Sequence, residues 1–157
     1  MTRAILIVFA LLSTGSAFAQ SNALAVTSGA SEETSPMSPT DITDTNLDDF
    51  IWEKRPIVVF ADSDQDPRFR EQLELLEARI EFLEDRDVVI LTDTDPAGAS
   101  ELRRKLRPRG FMMVLIGKDG GVKLRKPFPW SVRELSRTID KMPLRREELR
   151  NARQNNG

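Results

Sequence analysis

The 157-residue chain contains no cysteine and no histidine. The first absence excludes disulfides, thiolate nucleophiles, thiol redox chemistry and a lipid-anchored cysteine behind a leader. The second removes the commonest metal ligand and the commonest general base. Carboxylates, lysines, serines and threonines are left for chemistry, and no serine has a candidate base in its sequence neighbourhood. A basic excess is also missing. Lys plus Arg number 23 against 25 Asp plus Glu, a formal net charge of −2, which argues against a nucleic-acid partner. Aromatic residues make up only 6% of the chain. The two basic stretches, RRKLRPR (103–109) and LRREELR (144–150), therefore lack aromatic interleaving. They read as solvated helix faces, the second supported by Glu147 and Glu148 at helical spacing from arginines. Beyond the N-terminus no run is apolar enough to span a membrane, which takes about 20 residues.

What is present begins with a leader. Arg3 supplies a positive start, AILIVFALL an apolar run, and AFA before Gln20 a small-residue cleavage signature. Residues 1–19 are thus predicted to be a signal peptide cleaved after Ala19, which sends the protein to the periplasm or outside the cell. Loss of Arg3 leaves 22 basic against 25 acidic residues, a net charge of −3. Residues 20–46 are rich in Ser, Thr, Pro and Ala without a sustained period, and predict a disordered tether. Residues 47–150 form the single domain, and 151–157 a flexible tail.

Within the domain the elements alternate. IVVF (57–60), VVIL (88–91) and FMMVLIG (111–117) are short apolar runs, read as buried strands. Between the first two, Phe69, Leu73, Leu76, Ile80 and Leu83 form the stripe of a helix opened by Asp66-Pro67. A second Asp-Pro, at 95–96, is expected to open a helix through Leu106 with Ala99 and Leu102 on its inner side. KDGG (118–121) predicts a hairpin that pairs VKLRK (122–126) antiparallel with the third strand. Ser131 and Glu134 form a capping box for the last helix, over Val132, Leu135, Ile139 and Met142. Trp52 and Trp130 read as core or rim aromatics. The order β-α-β-α-β-β-α, with the first two strands parallel through a right-handed crossover, resembles the thioredoxin fold, a four-stranded mixed sheet with flanking helices in the α/β class; the alternative is a small doubly wound sheet.

Two further segments narrow the resemblance. GKDGGVKLR (117–125) followed by IDKMPLRREE (139–148), with RPIVVFA and DPRFREQ upstream, is similar to the domain of unknown function 4174 family. These are prokaryotic relatives of the extracellular DUDES proteins, a thioredoxin-like group. The likeness covers about residues 50–150 and implies a fold and an extracytoplasmic setting, with no established activity. In thioredoxins and peroxiredoxins the redox cysteines follow the first of these strands. Here Asp64 to Pro67 occupy that position. A cis-proline is also expected before the hairpin strand, where this chain has Phe111 or Met112, so both redox hallmarks are missing.

The fold order predicts that one end of the sheet collects Asp62, Asp64, Asp66, Asp93 and Asp95, with Arg107 and Arg109 arriving before the third strand. Clustered carboxylates suit a hard cation, and Asp62 with Asp64 is the candidate metal pair. The EF-hand register fails, however, because Pro67 and Leu73 stand where glycine and glutamate are required. Asp66 and Asp95 are sufficiently explained as helix caps. Asp62, Asp64 and Asp93 are then either solvated or paired with Arg107 and Arg109. VVFADSD also resembles the nucleophile motif of haloacid-dehalogenase-type phosphatases, with Thr92 and Lys118 as partners. That reading lacks a late acidic pair for Mg²⁺ and puts Lys118 at the wrong end of the sheet. The sequence therefore favours a secreted thioredoxin-like module without thiol redox activity or a cofactor, binding an envelope protein or component. The alternative is a carboxylate-based cation-binding or hydrolase site at Asp62, Asp64 and Asp93.

Overall fold

In a computed structural model of the chain, residues 39–41 and 46–155 are described. The leader, its cleavage site after Ala19, most of the tether and the last two residues lie outside them. The elements are β1 (Thr40–Asp41), a 3-10 turn (Leu47–Phe50), β2 (Arg55–Phe60), α1 (Pro67–Glu77), α2 (Ile80–Glu84), β3 (Val88–Asp93), α3 (Glu101–Leu106), β4 (Met112–Ile116), β5 (Val122–Lys126), α4 (Val132–Asp140) and α5 (Pro143–Asn155). The sheet order is β1-β3-β2-β4-β5. β2 is parallel to β3 and antiparallel to β4, and β4 pairs antiparallel with β5 across the KDGG turn.

The continuous apolar runs follow from this topology. β2 is covered on both faces, so its side chains alternate between two cores rather than between core and water. Ile57, Val59 and Ala61 join Phe69, Leu76, Leu83, Leu135 and Ile139 under α1, α2 and α4. Val58 and Phe60 join Leu47, Leu102 and Leu106 under α3 and the 3-10 turn. Met113 and Met112 divide between the same two layers. The α/β class and the thioredoxin-like order of strands are as the sequence predicts.

Four local expectations are corrected. A fifth strand is present, because Thr40 and Asp41, within the segment read as a disordered tether, pair parallel with Leu91 and Thr92 at the open edge of β3. The long helix breaks at Arg79, whose backbone (φ −145, ψ 42) leaves the helical region. Ile80 and Leu83 of α2 nevertheless keep the stripe against the core. Asp95 does not cap α3. Its Oδ1 accepts from Ala97 N–H in a local turn, Ala99 turns left-handed (φ 43), and the cap passes to Ser100, whose hydroxyl accepts from Arg103 N–H. After α4 the chain forms a further helix, α5, with Pro143 at its start, so the tail is helical through Asn155.

Candidate functional site

The strand-end aspartates have separate roles. Asp66 caps α1, accepting from Arg68 N–H at 2.9 Å with Pro67 as the first helical residue. The hydrogen bond from the Arg68 side chain holds its carboxyl below the usual range. Asp93, at the end of β3, is 5% exposed. Its carboxylate accepts from Ser100 Oγ at 2.6 Å, Arg103 Nε at 2.8 Å and Asp95 N–H at 3.1 Å. The Arg103 guanidinium also donates to the carbonyls of Ala61 and Asp93 and lies over the Phe60 ring. One arginine thereby ties the ends of β2 and β3 together. The cation beside Asp93 is Arg103, not Arg107 or Arg109. Arg107 ends α3 in the left-handed region (φ 48) and Arg109 is exposed.

Asp62 and Asp64 remain at the surface. Asp62 approaches Gly110 closely enough that a Cβ there would lie 3.7 Å from its Oδ2. Asp64 accepts from Ser63 Oγ and Gln65 Nε2, its own neighbours. Among the described residues no three Asp or Glu side chains converge as a metal site would require. The position where a thioredoxin holds its thiols is thus occupied by a cap and local hydrogen bonds.

A formed cleft lies at the other end of the sheet. Lys118 bonds Asp87, which precedes β3, at 2.8 Å, whereas Asp93 ends that strand. The cleft, of about 360 Å³, is lined by Trp52, Lys118, Asp119, Lys123, Met142, Pro143, Leu144 and Glu147 among others. Its volume lies within the roughly 300–1,000 Å³ of small-molecule sites. Three stretches distant in sequence build it: the loop before β2, the β4–β5 turn and the α4–α5 junction. Gly120 (φ 73) adopts a conformation that glycine alone takes freely and brings the turn against Ile51. Trp52 also has positive φ (68), is 67% exposed, and is pinned by its N–H to the Lys118 carbonyl at 2.7 Å. A bulky residue in that region is a strained outlier, and the exposure of Trp52 corrects its expected place as a core or rim aromatic. Trp130 packs on the core; Trp52 stands out at the cleft.

Below the cleft runs an ion network. Arg55, 1% exposed, donates to the Arg86 carbonyl and to Glu148 Oε1, each at 2.8 Å. Lys118 bridges Asp87 and Glu148 at 2.8 and 3.1 Å. Arg145 reaches the second Glu148 oxygen at 3.3 Å. Burial pushes the Glu148 carboxyl up, but the hydrogen bonds from Arg55, Lys118 and Arg145 outweigh it and leave it below its ordinary value. At the rim, Asp119 is held low by Lys123, 2.6 Å away. The arrangement offers an apolar wall of Trp52, Met142, Pro143 and Leu144 beside paired charges, which suits holding a ligand better than activating a nucleophile. Sequence reading passed over this cleft. Its signal was there: 117–125 and 139–148, the segments carrying the family likeness, face each other across it.

Comparison with known proteins agrees with this architecture. Thioredoxin z of the chloroplast is similar in structure with a TM-score of 0.51 and 21% identity, over 66% of this chain and 93% of that one. A 2-Cys peroxiredoxin of Plasmodium vivax gives 0.49 and 17% identity, over 61% and 81%. In sequence, coiled-coil domain-containing protein 80 of Danio rerio is 32% identical over 133 residues, which are 66% of this chain but 15% of that protein. The chain thus spans a small part of that relative's length. Residues 46–148 match the family described as domain of unknown function DUF4174. With a thioredoxin-like sheet, no thiol and that match over most of its length, the chain belongs to the DUF4174 family.

Proposed function

We propose that the protein is an exported, non-enzymatic thioredoxin-like module that binds an envelope protein or component through the Trp52 cleft. The observation that carries this reading is the exchange of ends. The thiol position is filled by Asp64 to Pro67 in local hydrogen bonds, while an open, partly apolar cleft has formed at the opposite end. An exposed tryptophan held in a strained backbone supports it, since such strain concentrates at functional positions. The test is a pull-down from envelope extract with the wild type and with Leu144→Glu. A partner retained by the wild type and lost by the variant is expected. Equal retention removes the cleft from the reading, and turnover of an envelope substrate abolished by Asp62→Asn would end the non-enzymatic reading altogether.

A second reading keeps a carboxylate site, now without Asp93, whose oxygens are already engaged. Asp62 and Asp64 are exposed and form no ion pair with Arg107 or Arg109. A cation bound only by the folded state must raise Tm. An unchanged Tm in chelator-stripped protein on adding millimolar Ca²⁺, Mg²⁺ or Mn²⁺ disposes of this reading.

A further inference from the structure

Two local irregularities of the chain meet at the Trp52 cleft. One is the positive φ of Trp52 itself. The other lies in the β4–β5 ladder, where Leu115 faces Leu124 but Ile116 faces Val122. β5 advances two residues there while β4 advances one, so Lys123 is the extra residue, and a bulge of that kind re-aims a side chain. Lys123 lines the cleft, and its Nζ lies 2.6 Å from Asp119 Oδ2. A strained backbone and a bulge at one cleft mark it as more than a gap between elements, since both devices concentrate at functional positions.

The lining restricts the chemistry of an occupant. Arg55, Lys118, Asp119, Lys123 and Glu147 bring charge to it, and each already has an opposite charge within 4 Å. An ionic ligand would have to displace one of those partners. A wholly apolar ligand would take water from the charged groups and return nothing, which is costly. A neutral ligand rich in hydroxyls meets neither obstacle. The Lys123–Asp119 pair is open to solvent, its side chains 34% and 45% exposed. The ammonium has three donors, of which Asp119 takes one. Asp119 Oδ1 accepts from Gly121 N–H, and lone pairs remain on both of its oxygens. Side by side, the pair offers a donor and an acceptor to two adjacent hydroxyls, each of which can both accept and donate. Trp52, Met142, Pro143 and Leu144 supply the apolar part of the lining. A sugar ring combines the same two surfaces, a face of C–H groups and a rim of hydroxyls, and an exposed indole gives the C–H face a broad apolar platform.

We propose that this cleft binds a sugar unit of an uncharged glycan, its C–H face against Trp52 and two adjacent hydroxyls bridging Lys123 and Asp119. The inference rests on the reading of the cleft as the binding site and names its ligand class. With two tryptophans and no tyrosine in the chain, fluorescence reports on Trp52 and Trp130 alone. The purified protein is titrated with neutral oligosaccharides of glucose and of N-acetylglucosamine, followed by tryptophan emission and by calorimetry at low and high sodium chloride. A saturable change in emission is expected with at least one of them, at an affinity that salt leaves unchanged, because a neutral ligand has no charge to screen. By calorimetry that affinity is expected to weaken about tenfold or more in Trp52→Gly, as for a lost aromatic anchor. In Asp119→Asn/Lys123→Gln it is expected to weaken about threefold or more, as for lost hydrogen bonds to charged groups. An unchanged or raised Tm confirms that each variant folds. The proposal is overturned if neither sugar binds, if binding persists undiminished in the folded variants, or if it falls steeply with salt. The pull-down separates that result from the reading beneath it. An envelope protein retained by the wild type and lost in Leu144→Glu, with no sugar bound, keeps the cleft as the site and gives it to a polypeptide.

Discussion

At the scale of single residues, four aspartates that look alike in sequence divide by what they touch. Asp93 is buried against Arg103 and Ser100, so removing its carboxylate strands a largely buried guanidinium between two strand ends. Asp93→Ala is expected to destabilise the fold by about 3–5 kcal/mol, measured by urea unfolding. Asp66→Ala removes a cap and is expected to cost about 1 kcal/mol. Asp62→Asn and Asp64→Asn, at exposed sites, are expected to stay within about 0.5 kcal/mol of the wild type. A large loss at Asp62 would mean a buried role the structure does not give it. Trp52 offers the reverse test. Left-handed backbone disfavours a side chain by roughly 1–2 kcal/mol, while glycine costs about 0.4–1 kcal/mol through the unfolded state. With little packing to lose, Trp52→Gly is expected to match or slightly exceed wild-type stability and to weaken partner capture. A strongly destabilised variant would make Trp52 a structural residue.

At the scale of elements, α5 is tied to the sheet chiefly by charge. None of its residues is buried, yet Glu148 receives Arg55, Lys118 and Arg145. Glu148→Gln is expected to cost about 2 kcal/mol, the range for a hydrogen bond to a charged group. Because the folded carboxyl titrates below its ordinary 4.5, its contribution is complete above that pH. It is lost as the pH falls through the lower folded value. The acid limb of Tm against pH should therefore be shallower in Glu148→Gln. An identical limb would show that the carboxylate does not hold α5. Legibility from sequence follows the range of the interaction. The Asp66-Pro67 cap, the Ser131 box and the KDGG turn are decided within four residues and were readable. The partner of Asp93 was not, because it depends on where α3 begins, and a left-handed Ala99 moved that start to Ser100. The Trp52 cleft draws on three distant stretches, so only the pairing of two motifs hinted at it. The two-residue β1 has no apolar pattern, since its pairing is set by the open edge of β3.

At the scale of the whole molecule, the leader and the fold make separate claims. Export with cleavage after Ala19 predicts a secreted or periplasmic form beginning at Gln20, checked by N-terminal sequencing and cell fractionation. A product that keeps Met1 in the cytoplasm would overturn it. A longer consequence concerns the two rims of the sheet. An open strand is a template for another chain. On one rim β5 presents Lys123, Arg125 and Lys126 among its five residues, a charge row that repels a second copy. On the other, β3 is apolar and relies on Thr40 and Asp41 from the upstream segment. A shortened form beginning at Asn46 would bare that rim, and it is expected to polymerise more readily at high concentration than the full chain.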